Sequence, residues 1–170
     1  MSSLLISLLG HPEIVLEGKT VRLETRKSLA ILAYLSLQER EIPREVLAAM
    51  FWAEFDQQHS QANLRRNIGS LNEKLNFAWI ASDREVIALK NRSGLWLDVE
   101  EFNGHLNSFR DHGCEQKETC QLCSEHLRSA VKLYRGDFLE GFNLPDCPEF
   151  DDWQFNQRET WRSELAFALE

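Results

Sequence analysis

With 170 residues the chain can bury one full core or two small ones, and 43% hydrophobic with 27% charged residues is ordinary for a globular protein. No apolar run reaches about 18 residues, the start lacks the basic segment of a signal peptide, and four cysteines are too few for a disulfide-built fold, so a cytoplasmic chain without membrane contact is expected. The net charge of -8 is uneven: residues 1–97 hold 12 Lys/Arg and 11 Asp/Glu (net +1), residues 98–170 hold 7 and 16 (net -9), which argues for two modules, 1–97 and 98–170.

The first module opens on strands. LLISLL is an apolar run, and EGK (Glu17 to Lys19) reads as the turn between IVL and TVRL. TRKSLAILAYLSLQ changes to a helical period, with Thr25 as N-cap and Leu29, Leu32, Ala33 and Leu35 or Ser36 near one face. After the polar break QEREI, Pro43 suits the opening of a second helix, whose apolar side is Val46, Leu47, Met50 and Phe51. DQQHS reads as another polar break before a third helix, SQANLRRNIGSLNEKL. There Leu64, Ile68, Leu71 and Leu75 fall within about 60° around the axis and are expected to be buried. The same wheel turns His59, Ala62, Arg66, Gly69, Ser70 and Glu73 outward, with Arg65 on the flank. WIASDREVIALK reads as a hairpin around Asp83, Arg84 and Glu85, and LWLDV as a further strand. Strands, three helices and a hairpin, in that order, predict a winged helix. Its third helix can present side chains to base edges in a major groove.

The second module reads as all-α. Asp98 and Glu101 fit a capping box for DVEEFNGHLNSF, with Val99, Phe102, Leu106 and Phe109 as its stripe. A polar loop leads to CQLCSEHLRSAVKLY, where Cys123, Leu127, Ala130, Val131 and Tyr134 line one side and Gly136 ends the helix. Pro148 precedes a last helix carrying Phe150, Trp153, Trp161 and Leu165. Paired amphipathic helices suit an incomplete tetratricopeptide-like stack. Trp52, Trp96, Trp153, Trp161, Phe102, Phe138, Phe142 and Phe150 are expected in the core.

Cys114, Cys120, Cys123 and a distant Cys147, with His112 and His126 nearby, are residue types that zinc accepts. A single CxxC without a second knuckle favours plain thiols over a metal site. No GxxxxGK[ST] loop and no acid–base or nucleophile set is found, so neither a cofactor nor an enzymatic activity is expected. Asp146, Glu149, Asp151 and Asp152 read as an acidic helix start, favourable to the helix dipole.

The stretches LLGHPEIVLEG, RKSLAILAYL, FWAEFDQQHSQANLRRNIGSLNEKL, LWLDVEEF and LYRGDFLEGFNLPDCPEFDDW, in this order, cover nearly the whole chain. Together they resemble the N-terminal part of transcription regulators of the Streptomyces antibiotic regulatory protein type. These join an OmpR-like winged helix to a helical bacterial transcriptional activation domain, which in the family continues for several more helix pairs. The resemblance implies an activator that binds duplex DNA at direct repeats and contacts RNA polymerase, with the remainder of a larger protein and self-association as further partners. It implies that Arg66 and Ser70, with His59, face base edges. Arg26, Lys27, Arg44, Arg65 and the wing's Arg84 would meet phosphates. Relatives often carry arginines where this chain has Asn72 and Glu73. That departure supports a second expectation: a regulatory protein-interaction module of a larger multidomain protein, with the winged helix packed against protein instead of DNA.

Overall fold

Strand-like alternation gives way to helix where the first strands end in the computed structural model, which describes residues 2–170. The strands are β1 (Leu4–Ser7), β2 (Glu13–Leu16) and β3 (Lys19–Thr20), and the hairpin Leu16↔Lys19 closes through Glu17 (φ 49°) and Gly18 (φ 80°). Positive φ at both loop positions is the geometry that matches strand twist. Val21 N still donates to the Ile14 carbonyl at 2.8 Å, although β3 is shorter than TVRL suggests. The strand expected from LWLDV is β7 (Leu95–Leu97), and it joins this sheet in the order β3-β2-β1-β7.

The chain divides into two compact units. One comprises the residues up to Leu5, Ile14–Leu95 and Asn143–Trp153; the other comprises Ile6–Glu13, Trp96–Phe142 and Gln154–Glu170.

The first unit holds α1 (Arg26–Ser36), α2 (Arg44–Phe51) and α3 (Gln57–Lys74). Thr25 caps α1 as expected: its Oγ1 accepts from Ser28 N at 3.0 Å and donates to Asn67 Oδ1 of α3 at 2.8 Å. Thr25→Ala is expected to cost about 1 kcal/mol, read as a lower thermal midpoint, because a helix N–H and an interhelical bond lose their partner together. At the far end of α1, Arg92 donates to the carbonyls of Leu35, Ser36 and Gln38, filling acceptors that the helix leaves open. The Leu64, Ile68, Leu71 and Leu75 seam is buried throughout, and on α2 Leu47, Met50 and Phe51 are buried, whereas Val46 is 44% exposed. Val46 falls outside the α2 core face, since Ala48 packs inward instead.

Two further features of the first unit depart from the sequence reading. The polar break QEREI ends in a short strand, β4 (Ile42–Pro43), which pairs antiparallel with β6 (Val86–Leu89) in the register Ile42↔Ile87. With β5 (Ile80–Ser82) it makes a sheet of order β4-β6-β5, the wing hairpin plus one strand. The third helix also begins earlier than SQANL, because Asp56 accepts from His59 N at 2.9 Å and makes QQH helical.

Within the same unit, residues Asn143–Trp153 add Phe150, whose ring lies 5.4 Å from Phe51 and 5.3 Å from Trp153. Trp153 meets Tyr34 edge-on at 5.1 Å. The acidic stretch before the last helix α6 (Pro148–Leu169) is engaged here. Asp146 pairs with Lys27 at 3.1 Å, which holds its carboxyl below the ordinary value, and Asp151 accepts from Leu144 N at 3.1 Å.

The second unit is built on α4 (Asp98–Asp111), α5 (Gln121–Leu133) and the greater part of α6. Val99, Phe102, Leu106, Cys123 and Ala130 are buried, with Trp161 packed edge-on to Phe102 at 6.1 Å. The capping box expected from Asp98 and Glu101 does not form: Leu97 is the N-cap and makes no side-chain bond. Asp98 is buried instead, and its carboxylate accepts from Leu8 N (2.8 and 2.9 Å) and Leu9 N (2.9 Å), with Arg135 at 3.7 Å. Burial pushes this carboxyl up, while the two amides and Arg135 pull it back. Gln154 closes a second buried contact by donating to the Leu139 and Phe142 carbonyls. Among the described residues no helix is long and apolar enough to cross a membrane.

Candidate nucleic-acid interface

Because the apolar seam of α3 faces inward, the helix leaves its other side exposed over Gln57, Gln58, His59, Ala62, Arg65, Arg66, Gly69 and Glu73. The N-terminal part of this side borders a concavity of about 800 Å3, walled by α3 (Gln57, Gln61, Arg65), the start of α2 (Arg44, Glu45) and the wing turn (Asp83, Arg84, Glu85). The turn is fixed by Asp83, whose Oδ1 accepts from Glu85 N at 2.7 Å and Val86 N at 2.8 Å. Those two amides hold the Asp83 carboxyl below its ordinary value, with Arg44 adding to the effect. Arg44 is drawn across the floor, donating to Ser82 Oγ at 2.7 Å and the Asp83 carbonyl at 3.2 Å. Burial pulls the Arg44 guanidinium below its ordinary value, as does the positive charge of Arg65, against the opposing pull of Asp83. Arginines brought this close repel one another, and an anion between them would relieve that repulsion.

The residues singled out in the sequence are therefore not equivalent. Arg44, Arg65 and Arg84 line one concavity, and Arg66 is exposed next to Arg65 on α3. Ser70 is half-buried, with its Oγ donating to Glu24 at 3.0 Å, so its hydroxyl already has an acceptor. His59 Nδ1 lies 2.7 Å from Asp56 Oδ2 at the helix start, and the His59 amide and ring together hold the Asp56 carboxyl below its ordinary value. Arg26 is exposed at the first position of α1. Lys27 is turned away from such a role: its ammonium pairs with Asp146 and lies 5.1 Å from the Trp52 ring centroid, leaving the side chain 18% exposed.

Two lining residues were not singled out by sequence reasoning: Gln57, because DQQHS looked like a polar break, and Gln61, which lay in the expected helix between the exposed and buried faces. The signal for Gln57 was Asp56, three residues before His59, at the spacing of an N-cap and N3. That Glu45 would join Asp83 and Glu85 was also unforeseen, since it comes from α2 and they come from the wing turn.

The cysteines separate. Cys147 is buried in the first unit, donating to the Phe51 carbonyl at 3.4 Å, and burial pushes its thiol up to about 11. It is not a fourth partner for the other three. Cys114, Cys120 and Cys123 converge instead with His112, all four donor atoms lying within 4.8 Å of one another.

No family model matches the chain, and none of the curated proteins matches it. Among solved structures it is similar to Mycobacterium tuberculosis EmbR in complex with low affinity phosphopeptide, at a TM-score of 0.77 and 19% sequence identity. The similarity covers 99% of this chain and 44% of that one, so the chain spans less than half the length of its structural relative. At this identity the likeness is one of fold, and it agrees with a winged helix-turn-helix followed by an all-α bundle.

Proposed function

We propose that the chain binds duplex DNA as a transcription regulator, with α3 in the major groove and the β5–β6 wing against the neighbouring backbone. The observation that carries this reading is the convergence of Arg44, Arg65 and Arg84 on one concavity beside the exposed Arg66. Arg66 is the base-reading residue of this set, and Arg44, Arg65 and Arg84 are its phosphate contacts. The DNA-contacting elements all lie within residues 1–97, and residues 143–153 belong to the first unit, whereas the helices of residues 98–142 and 154–170 belong to the helical partner domain. Its work is recruitment, with RNA polymerase, the rest of a longer protein and a second copy at a repeated site as protein partners.

Fluorescence anisotropy of a labelled duplex, selected from a random pool and titrated at several salt concentrations, tests the reading. The logarithm of affinity is expected to fall linearly with the logarithm of salt. Arg65→Ala should reduce that slope by about 1, whereas Arg66→Ala should cost about 1–3 kcal/mol and relax sequence preference. Lys27→Ala should leave the slope unchanged, because its ammonium is already paired with Asp146. Absence of binding at low salt overturns the proposal.

One observation favours a second reading. Glu45, Asp83 and Glu85 alternate with the arginines, and Glu73 is exposed on the same helix. A surface of both signs suits a protein partner better than a polyanion. On that reading the chain is a regulatory module of a larger protein, and the DNA titration stays flat at every salt concentration.

A further inference from the structure

We propose that His112, Cys114, Cys120 and Cys123 form a structural zinc site that pins the connection between α4 and α5. The connection starts just after Asp111 and ends just before Gln121. Its middle, Glu115 to Thr119, is polar and contributes no residue to the buried core. Its hydrogen bonds are mostly short-range: Thr119 N (3.2 Å) and Oγ1 (3.3 Å) donate to the Gln116 carbonyl, Cys120 N to the Lys117 carbonyl at 3.4 Å, and Lys117 Nζ to the Arg110 carbonyl at 3.0 Å. Such a segment gains little from burial to offset the entropy of ordering it. Yet it brings the sulfurs of Cys114 and Cys120 and the His112 imidazole together with the Cys123 sulfur of α5, with Cys123 buried and the other three half-buried.

The spacing suits a metal better than either alternative use of thiols. Cys114 Sγ and Cys123 Sγ are 3.8 Å apart, and Cys120 Sγ is 4.0 Å from His112 Nε2. Zinc bound tetrahedrally at about 2.3 Å from sulfur and 2.0–2.1 Å from nitrogen sets S···S edges near 3.8 Å and S···N edges near 3.6 Å. These two distances lie within a few tenths of an ångström of those edges, and the remaining pairs, all within 4.8 Å, need to close by about 1 Å at most. A disulfide would require the sulfurs to close to about 2.05 Å, and would leave the third thiol without a partner. Thiols packed only as small apolar groups have no reason to gather around an imidazole nitrogen. Three thiolates and one imidazole are soft to borderline donors, which select zinc over oxygen-seeking cations. Four protein donors close the coordination sphere, so the ion is structural and has no open position for a substrate. His126 stands outside the set, with its Nδ1 3.3 Å from His105 Nδ1, and so does Cys147.

Elemental analysis of the chain purified under reducing conditions is expected to find close to one zinc per molecule. Cys147→Ser and His126→Ala should keep that content. Cys120→Ser and His112→Ala should lose it, with zinc held at least roughly a hundredfold more weakly in competition with a chromogenic chelator. The unaltered chain provides a measurement that does not depend on the variants folding. Cobalt added to the metal-stripped, reduced protein should give thiolate-to-cobalt charge-transfer absorption and the intense visible bands of tetrahedral coordination. Zinc far below one equivalent together with no cobalt spectrum overturns the site. So does equal zinc retention by Cys120→Ser, His112→Ala and the unaltered chain.

Discussion

Phe150→Ala is expected to destabilise the chain by about 3–5 kcal/mol, the range found when a fully buried aromatic ring is removed and its cavity persists. Phe150 is 0% exposed and packs on Phe51 at 5.4 Å and Trp153 at 5.3 Å, while Trp153 continues the cluster to Tyr34 on α1. Offset and edge-on ring contacts add about 0.5–1.5 kcal/mol per pair beyond area burial. The same short stretch brings Asp146 to Lys27 and the Cys147 thiol to the Phe51 carbonyl. Urea unfolding followed by tryptophan fluorescence would read the change as a lower midpoint at unchanged slope. Phe155→Ala is the control: its ring is 58% exposed, and an effect within about 0.5 kcal/mol is expected. A fragment ending at residue 97 lacks Phe150 and Trp153 and leaves Phe51 and Tyr34 without their ring partners, so it should unfold at lower urea than the full chain. Equal midpoints for the two would show that residues 143–153 contribute nothing to the first unit.

That dependence is the part of the fold hardest to read from sequence. Leu64, Ile68, Leu71 and Leu75 could be assigned to the core because period 3.6 is a local property of α3, and all four are buried. Thr25 and the Asp83–Glu85 turn were legible for the same reason, since each acts on residues two or three positions away. β4 was not, because two residues carry no period and Ile42 becomes a strand only through its pairing with Ile87. The membership of Phe150 in the first unit depends on contacts about a hundred positions apart, which no window along the chain contains. At the candidate interface, sequence supplied the arginines but not their company. That Lys27 is spent on Asp146, and that Glu45, Asp83 and Glu85 share the concavity, follows from side-chain packing alone. The cysteine cluster lies between: CxxC is visible in the sequence, whereas the choice of His112 over Cys147 is set by where the α4–α5 connection folds back.

Asp98→Ala is expected to cost about 2–6 kcal/mol, since it strands two buried amides at about 1–3 kcal/mol each when unsatisfied. The sequence places Asp98 three residues before Glu101, a spacing that suggests a capping box worth about 1 kcal/mol. The carboxylate instead receives the amides of Leu8 and Leu9, some 90 positions away, and is 1% exposed. The two roles predict different rankings. If Asp98 capped α4 with Glu101, then Glu101→Ala would weaken the chain nearly as much as Asp98→Ala. With the carboxylate anchoring residues 8 and 9, Glu101→Ala should change stability by less than about 0.5 kcal/mol, because Glu101 is exposed. Asp98→Asn should fall between the two, since one carbonyl oxygen can still accept while the amide nitrogen cannot. Arg135→Ala should cost less than Asp98→Ala, because the guanidinium is 45% exposed at 3.7 Å and is discounted by solvent. Denaturant unfolding of the four variants orders them directly. Protection of the Leu8 and Leu9 amides from hydrogen exchange should drop in Asp98→Ala and persist in Glu101→Ala, and the reverse pattern would return Asp98 to the role of a cap.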